Sequence, residues 1–150
     1  MTIVESIWRR ASASSAPKAI VLVRLAVGLV FLSEGIQKFL FPDALGVGRF
    51  AKIGIPAPDV LAPFVGVVEI VCGVLVVLGL ATRLAVTLLV IDMVVAIATT
   101  KVPMLLHEGF WKMAHESRTD FAMILGAACL VWMGAGPLSL DGWLAHWRKA

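Results

Sequence analysis

Tyrosine is absent from this 150-residue chain, cysteine occurs twice, and charged residues make up only 15%. Each shortage excludes something. A soluble domain is typically about a quarter charged, whereas this chain is 60% hydrophobic with a mean hydropathy of +0.96. Its environment is therefore a lipid bilayer. Cys72 and Cys129 sit in apolar runs without CxxC or Cys/His spacing. Neither thiol redox chemistry nor a zinc site is expected, and no metal is assigned. The net charge of +3 arises near the ends of apolar runs rather than from a basic face interleaved with aromatics, so nucleic acid is not a partner. Without tyrosine, tryptophan alone supplies amphipathic aromatic anchors. No flavin fingerprint and no haem-ligand pair occurs in the spans, which argues against independent electron transfer. The first apolar run lacks a small-residue cleavage site, so it reads as a span rather than a removable signal.

Four apolar runs approach the roughly 20 helical residues needed to cross a bilayer. They predict spans over residues 20–41, 61–80, 84–100 and 119–134. Pro42 ends the first, and Pro63 falls in the first turn of the second. The link Ala81-Thr82-Arg83 permits only an antiparallel hairpin. Lys101 and Pro103 end the third span; Gly134, Gly136 and Pro137 end the fourth. The expected fold is all-α, an integral membrane four-helix antiparallel bundle over residues 19–141. An N-terminal polar or amphipathic segment (1–18) precedes it and a C-terminal interfacial tail (142–150) follows. Residues 44–52 suit a short surface helix, and 101–119 an amphipathic loop. Four spans place both termini on one face. A slight excess of Lys and Arg there favours cytoplasmic termini.

Against this background Glu34, Lys38, Glu69 and Asp92 stand out. An Asp or Lys at the centre of a membrane helix costs roughly 2.5–3.5 kcal/mol. Such groups usually pair, face a cavity or do chemistry. At about 1.5 Å rise per residue, Glu34, Glu69 and Asp92 each lie roughly 10–12 Å below the face bearing the longer loops. Antiparallel alternation then gathers three carboxylates into one layer. Lys38, one turn above Glu34, can pair with it. Ala62, Gly66, Cys72 and Gly73 flank Glu69 at helical spacing and turn it inward. With Lys38 as the sole counter-charge, a dry layer of three acids holds or shares at least one proton.

Asp120 lies above that layer, at the mouth of the last span. His115 would join it at the pocket rim if the third loop folds over. His107 and His115 each precede a glutamate, but their spacing matches no metal motif. Arg24, near its helix start, and Arg83, in the hairpin, read as membrane-interface or structural residues, with Arg24 snorkelling to water or lipid phosphate. Gly126 offers a contact for a homo-oligomer.

The stretches Arg24-Leu25-x-x-Gly28, Gly35-x-x-Lys38-Phe39, Glu69-x-x-x-Gly73-x-Leu75, Leu78-Gly79-Leu80-x-Thr82-Arg83 and Gly134-x-Gly136-Pro137-Leu138-Ser139-Leu140-Asp141 together resemble the DoxX family. The resemblance implies a small four-helix inner-membrane protein of bacterial type with cytoplasmic termini. Members are linked to quinone-coupled sulfur oxidation and to oxidoreductase complexes of thiol stress. The matching positions are Arg24, Lys38, Glu69, Arg83 and Asp141, the last grouped with Arg24 and Arg83 as interface or structural. The leading expectation is a membrane subunit of a quinone-linked oxidoreductase, with quinone as the cofactor and a protein partner in the complex. In it, Glu69 with Lys38 and Glu34 would bind the headgroup and move its protons. A proton-coupled or small-solute transporter, and an assembly factor or chaperone, are the alternatives.

Overall fold

The computed structural model describes residues 16–147. Most of the N-terminal segment, and Arg148 and Lys149 of the tail, lie outside the described residues. Within them the chain is helical and contains no strand. The helices are α1 (Ile20–Leu40), α2 (Val47–Lys52), α3 (Pro58–Leu78), α4 (Thr82–Glu108), α5 (Phe110–Glu116), α6 (Arg118–Met133) and α7 (Leu140–Trp147). Three of these, α1, α3 and α4, are long and apolar enough to cross a membrane. The 16-residue α6 is shorter and packs against α4 and α1.

Glycine sets the closest approach. A Cβ on Gly28 would lie 3.0 Å from the carbonyl oxygen of Gly73, and one on Gly35 would lie 2.7 Å from that of Gly66. The two seven-residue spacings therefore mesh as antiparallel pairs, and the α1 and α3 backbones touch where any side chain would hold them apart. Gly126 does the same for α6. It faces Val27 of α1, where an added Cβ would sit 2.7 Å from Cγ2. The glycine expected to serve a homo-oligomer is spent on packing inside the chain.

Pro58 opens α3 at its first turn. Pro63 thus lies a turn deeper than expected. The end of α3 is a Schellman-type stop: Gly79 takes φ +69°, and the Leu80 N–H donates to the Leu75 carbonyl at 2.9 Å. Ala81 follows in the left-handed region with φ +47°, closing the hairpin before Thr82 starts α4.

The largest departure from expectation is the length of α4. It does not stop at Lys101 and Pro103 but runs on to Glu108, with Pro103 inside it. Proline removes one backbone donor, a loss that membrane helices tolerate when neighbouring groups compensate. In the turn before it, the Thr99 and Thr100 hydroxyls donate to the Val95 and Ala96 carbonyls at 2.9 and 2.6 Å. At 27 residues, α4 is about 40 Å long, longer than the roughly 30 Å hydrocarbon core. The expected loop is consequently a helical extension followed by the short α5.

Candidate functional site

The floor of the site follows from the glycine register. Gly35 faces Gly66; Lys38 lies one turn beyond the first, Glu69 one turn beyond the second, on opposite sides of the contact. Helical side chains lean toward their own N-terminus. On antiparallel helices Lys38 and Glu69 therefore lean toward each other. Their Nζ and Oε2 atoms meet at 2.5 Å, with side chains only 12% and 6% exposed. Glu69 also faces Asp92 of α4 within side-chain hydrogen-bond reach. The hairpin dictates this, because Glu69 and Asp92 stand within one residue of the same distance from the Gly79–Ala81 turn.

Above this floor lies a cavity of about 460 Å³. Apolar walls come from Phe31 of α1, Phe64 and Val65 of α3, Met93 of α4 and Met123 of α6, with Phe50 of α2 over the loop side. Toward the loops the lining turns polar, with Thr99, Thr100, Lys101, Thr119, Asp120 and Arg49. Lys101 pairs with Asp120 at 3.2 Å and donates to the Glu116 carbonyl at 2.9 Å. A second ion pair thus sits at the mouth.

The structure brings Glu34, Lys38, Glu69 and Asp92 to one cavity, with two corrections to their arrangement. Lys38 pairs with Glu69 across the helix contact rather than with Glu34 on its own helix, because its stem leans across the glycine seam. Glu34 lines the cavity but is exposed. Asp120 takes its place at the mouth. His115 does not: it lies exposed on α5, with its Nε2 3.1 Å from an Arg118 nitrogen, since the extension of α4 leaves no loop long enough to fold inward. Lys101 and Arg49 were missed. Thr99, inside the expected span and two turns beyond Asp92 on the same face, was also missed.

A second buried polar cluster sits at the other end of the helices. Arg24 does not snorkel. Its side chain is buried and donates to the Ala135 and Leu138 carbonyls at 2.7 and 2.6 Å. Asp141, 1% exposed, accepts from the Ala81 and Thr82 N–H groups at 3.0 and 3.2 Å. The Asp141 N–H returns to the Gly79 carbonyl at 2.9 Å. The carboxylate caps the N-terminus of α4 from a distant part of the chain and holds Ala81 in its strained conformation. Arg83 donates to the Trp132 carbonyl at 2.9 Å, tying α4 to α6.

Three long apolar helices, with buried ion pairs only where helices meet, define a helical membrane protein. The DoxX family model matches residues 19–102. "Uncharacterized membrane protein Rv3486" of Mycobacterium tuberculosis (strain ATCC 25618 / H37Rv) is 55% identical over 140 residues, covering 89% of this chain and 86% of that protein. "Putative oxidoreductase CatD" of Bacillus subtilis (strain 168) is 28% identical over 128 residues, covering 85% and 88%. No solved structure matches. The chain belongs to the DoxX family. Lys38, Glu69 and Asp92 fall within the matched residues; Asp120 and Asp141 lie beyond them.

Proposed function

We propose that this protein is a membrane subunit of a quinone-linked oxidoreductase, and that the cavity above Lys38, Glu69 and Asp92 receives the quinone headgroup. The observation that carries this reading is the floor itself: an ammonium paired with one carboxylate, and a second carboxyl group facing that pair, beneath an apolar-walled chamber. Reduction of a quinone to a quinol takes up two electrons and two protons. The Lys38 ammonium would donate a hydrogen bond to a quinone carbonyl, strengthening as negative charge builds on that oxygen. Two carboxyls in hydrogen-bond reach share a proton, and Glu69 and Asp92 would pass it to the reduced ring. Asp120 and the threonines at the mouth would resupply it from the loop side. The electrons come from a partner oxidoreductase subunit. The oxidoreductase name carried by the Bacillus relative supports the class.

In this reading α1, α3, α4 and α6 form an antiparallel four-helix bundle in a bacterial inner membrane, both termini cytoplasmic and the cavity mouth on the opposite face. An impermeant thiol reagent added outside should label Lys52→Cys; labelling only from the cytoplasm reverses the orientation. The function is tested by Glu69→Gln in membranes. General acid–base catalysis is worth about 10²–10⁴-fold, so quinone-dependent electron flow should fall at least tenfold. Unchanged flow contradicts the reading.

A further inference from the structure

We infer that the seam between α3 and α4, above the level of Glu69 and Asp92, is a membrane-facing portal occupied by the apolar tail of the bound quinone. This deepens the quinone reading and rests on it. Between hairpin and acid layer, α3 and α4 close on each other: Val76, Cys72 and Glu69 are buried against a face holding Ala85, Leu89 and Met93. Beyond Met93, α4 has no buried residue along its remaining four turns. Beyond Glu69 in the same direction, α3 buries only Gly66 and Ala62, and Gly66 faces α1. Beyond the acid layer the cavity is lined by residues of both helices, Phe64 and Val65 of α3 and Val95 and Ala96 of α4.

Helical spacing locates the gap. Ala96 lies one turn beyond Asp92 on the side that faces α3, opposite Val65, yet it is exposed. Phe64 and Val95 stand at that height on the outer edges of the two helices, 60% and 52% exposed, and both also line the cavity. Residues that line the cavity and are also more than half exposed mark where it opens between the two helices. The opening lies about 9 Å along α3 from its start at Pro58, within the depth of acyl chains. A ring held by Lys38 would have its substituent directed past Ala96 into lipid. The ligand class is thus a quinone with a long hydrocarbon tail, not a water-soluble quinone delivered through the mouth.

The test compares menaquinone-4 with 2,3-dimethyl-1,4-naphthoquinone, which shares its ring and has no long tail, by equilibrium binding to the full chain in nanodiscs. The wild-type protein should bind menaquinone-4 at least tenfold more tightly, after correction for partitioning into lipid. Ala96→Trp should narrow the preference for menaquinone-4 to within threefold. Should Ala96→Trp fail to fold, Val95→Trp on the outer lip takes its place. A full tenfold preference in a folded lip variant overturns the portal and leaves the headgroup site standing. Failure of the wild-type protein to bind either compound overturns both.

Discussion

Replacing Lys38 with Met removes the ammonium that touches Glu69 and keeps most of the stem volume. The pair is 12% and 6% exposed at a separation of 2.5 Å, so water replaces little of what is lost. Breaking a buried ion pair by deleting one partner costs about 3–5 kcal/mol, because the survivor stays buried without compensation. Here the survivor is worse placed than usual, since Glu69 also faces Asp92. Lys38→Met should therefore cost about 3–5 kcal/mol. Glu69→Gln keeps an oxygen acceptor for the lysine and leaves Asp92 as its counter-charge, so about 1–3 kcal/mol is expected. With both changes one acid, Asp92, is left without the lysine instead of two, and the double variant should be more stable than Lys38→Met alone. The coupling should be on the order of 2 kcal/mol, well above the roughly 0.5 kcal/mol scatter of independent sites. Reversible unfolding in mixed micelles, or steric trapping in bilayers, measures all four corners of the cycle. Additivity within that scatter would refute the claim that the contact is an energetic unit.

Gly35→Ala places a methyl 2.7 Å from the Gly66 carbonyl oxygen and 2.9 Å from the Ile70 nitrogen. Backbone atoms cannot step aside, so overpacking of about 1–3 kcal/mol is expected, read as lowered thermal stability in detergent. Asp141→Ala leaves two N–H donors at the start of α4 unpaired in a buried site and removes the acid beside Arg24. A loss of at least about 3 kcal/mol is expected, with Asp141→Asn recovering part of it; hydrogen exchange should show the Ala81 and Thr82 amides opening first.

The parts of this account that were legible in the sequence are those fixed by a single helix. Small residues at helical spacing around Glu69 announced a closely packed stripe with an inward acid. Depth counting placed Glu69 beside Asp92 because the hairpin between them is too short to allow any other register. What the sequence could not show was the partner of Lys38. Spacing along one helix pointed to Glu34, whereas the glycine contact and the opposed lean of the side chains pointed across to Glu69. Pro103 misled for a related reason: a proline removes one backbone donor from a helix but does not oblige it to stop, and α4 continues through it to Glu108. Arg24 looked like an interface anchor because its acceptors are carbonyls more than a hundred residues away, and no local pattern encodes that meeting. The same holds for Asp141, whose two donors belong to the start of another helix.

The central claim is that Glu69 and Asp92 share a proton beside Lys38. Infrared spectroscopy of the protein in bilayers at neutral pH tests it most directly. The account predicts a protonated-carboxyl stretching band that is lost in Asp92→Asn and in Glu69→Gln and persists in Glu34→Gln. A wild-type spectrum with no such band, or a band removed only by Glu34→Gln, would contradict it.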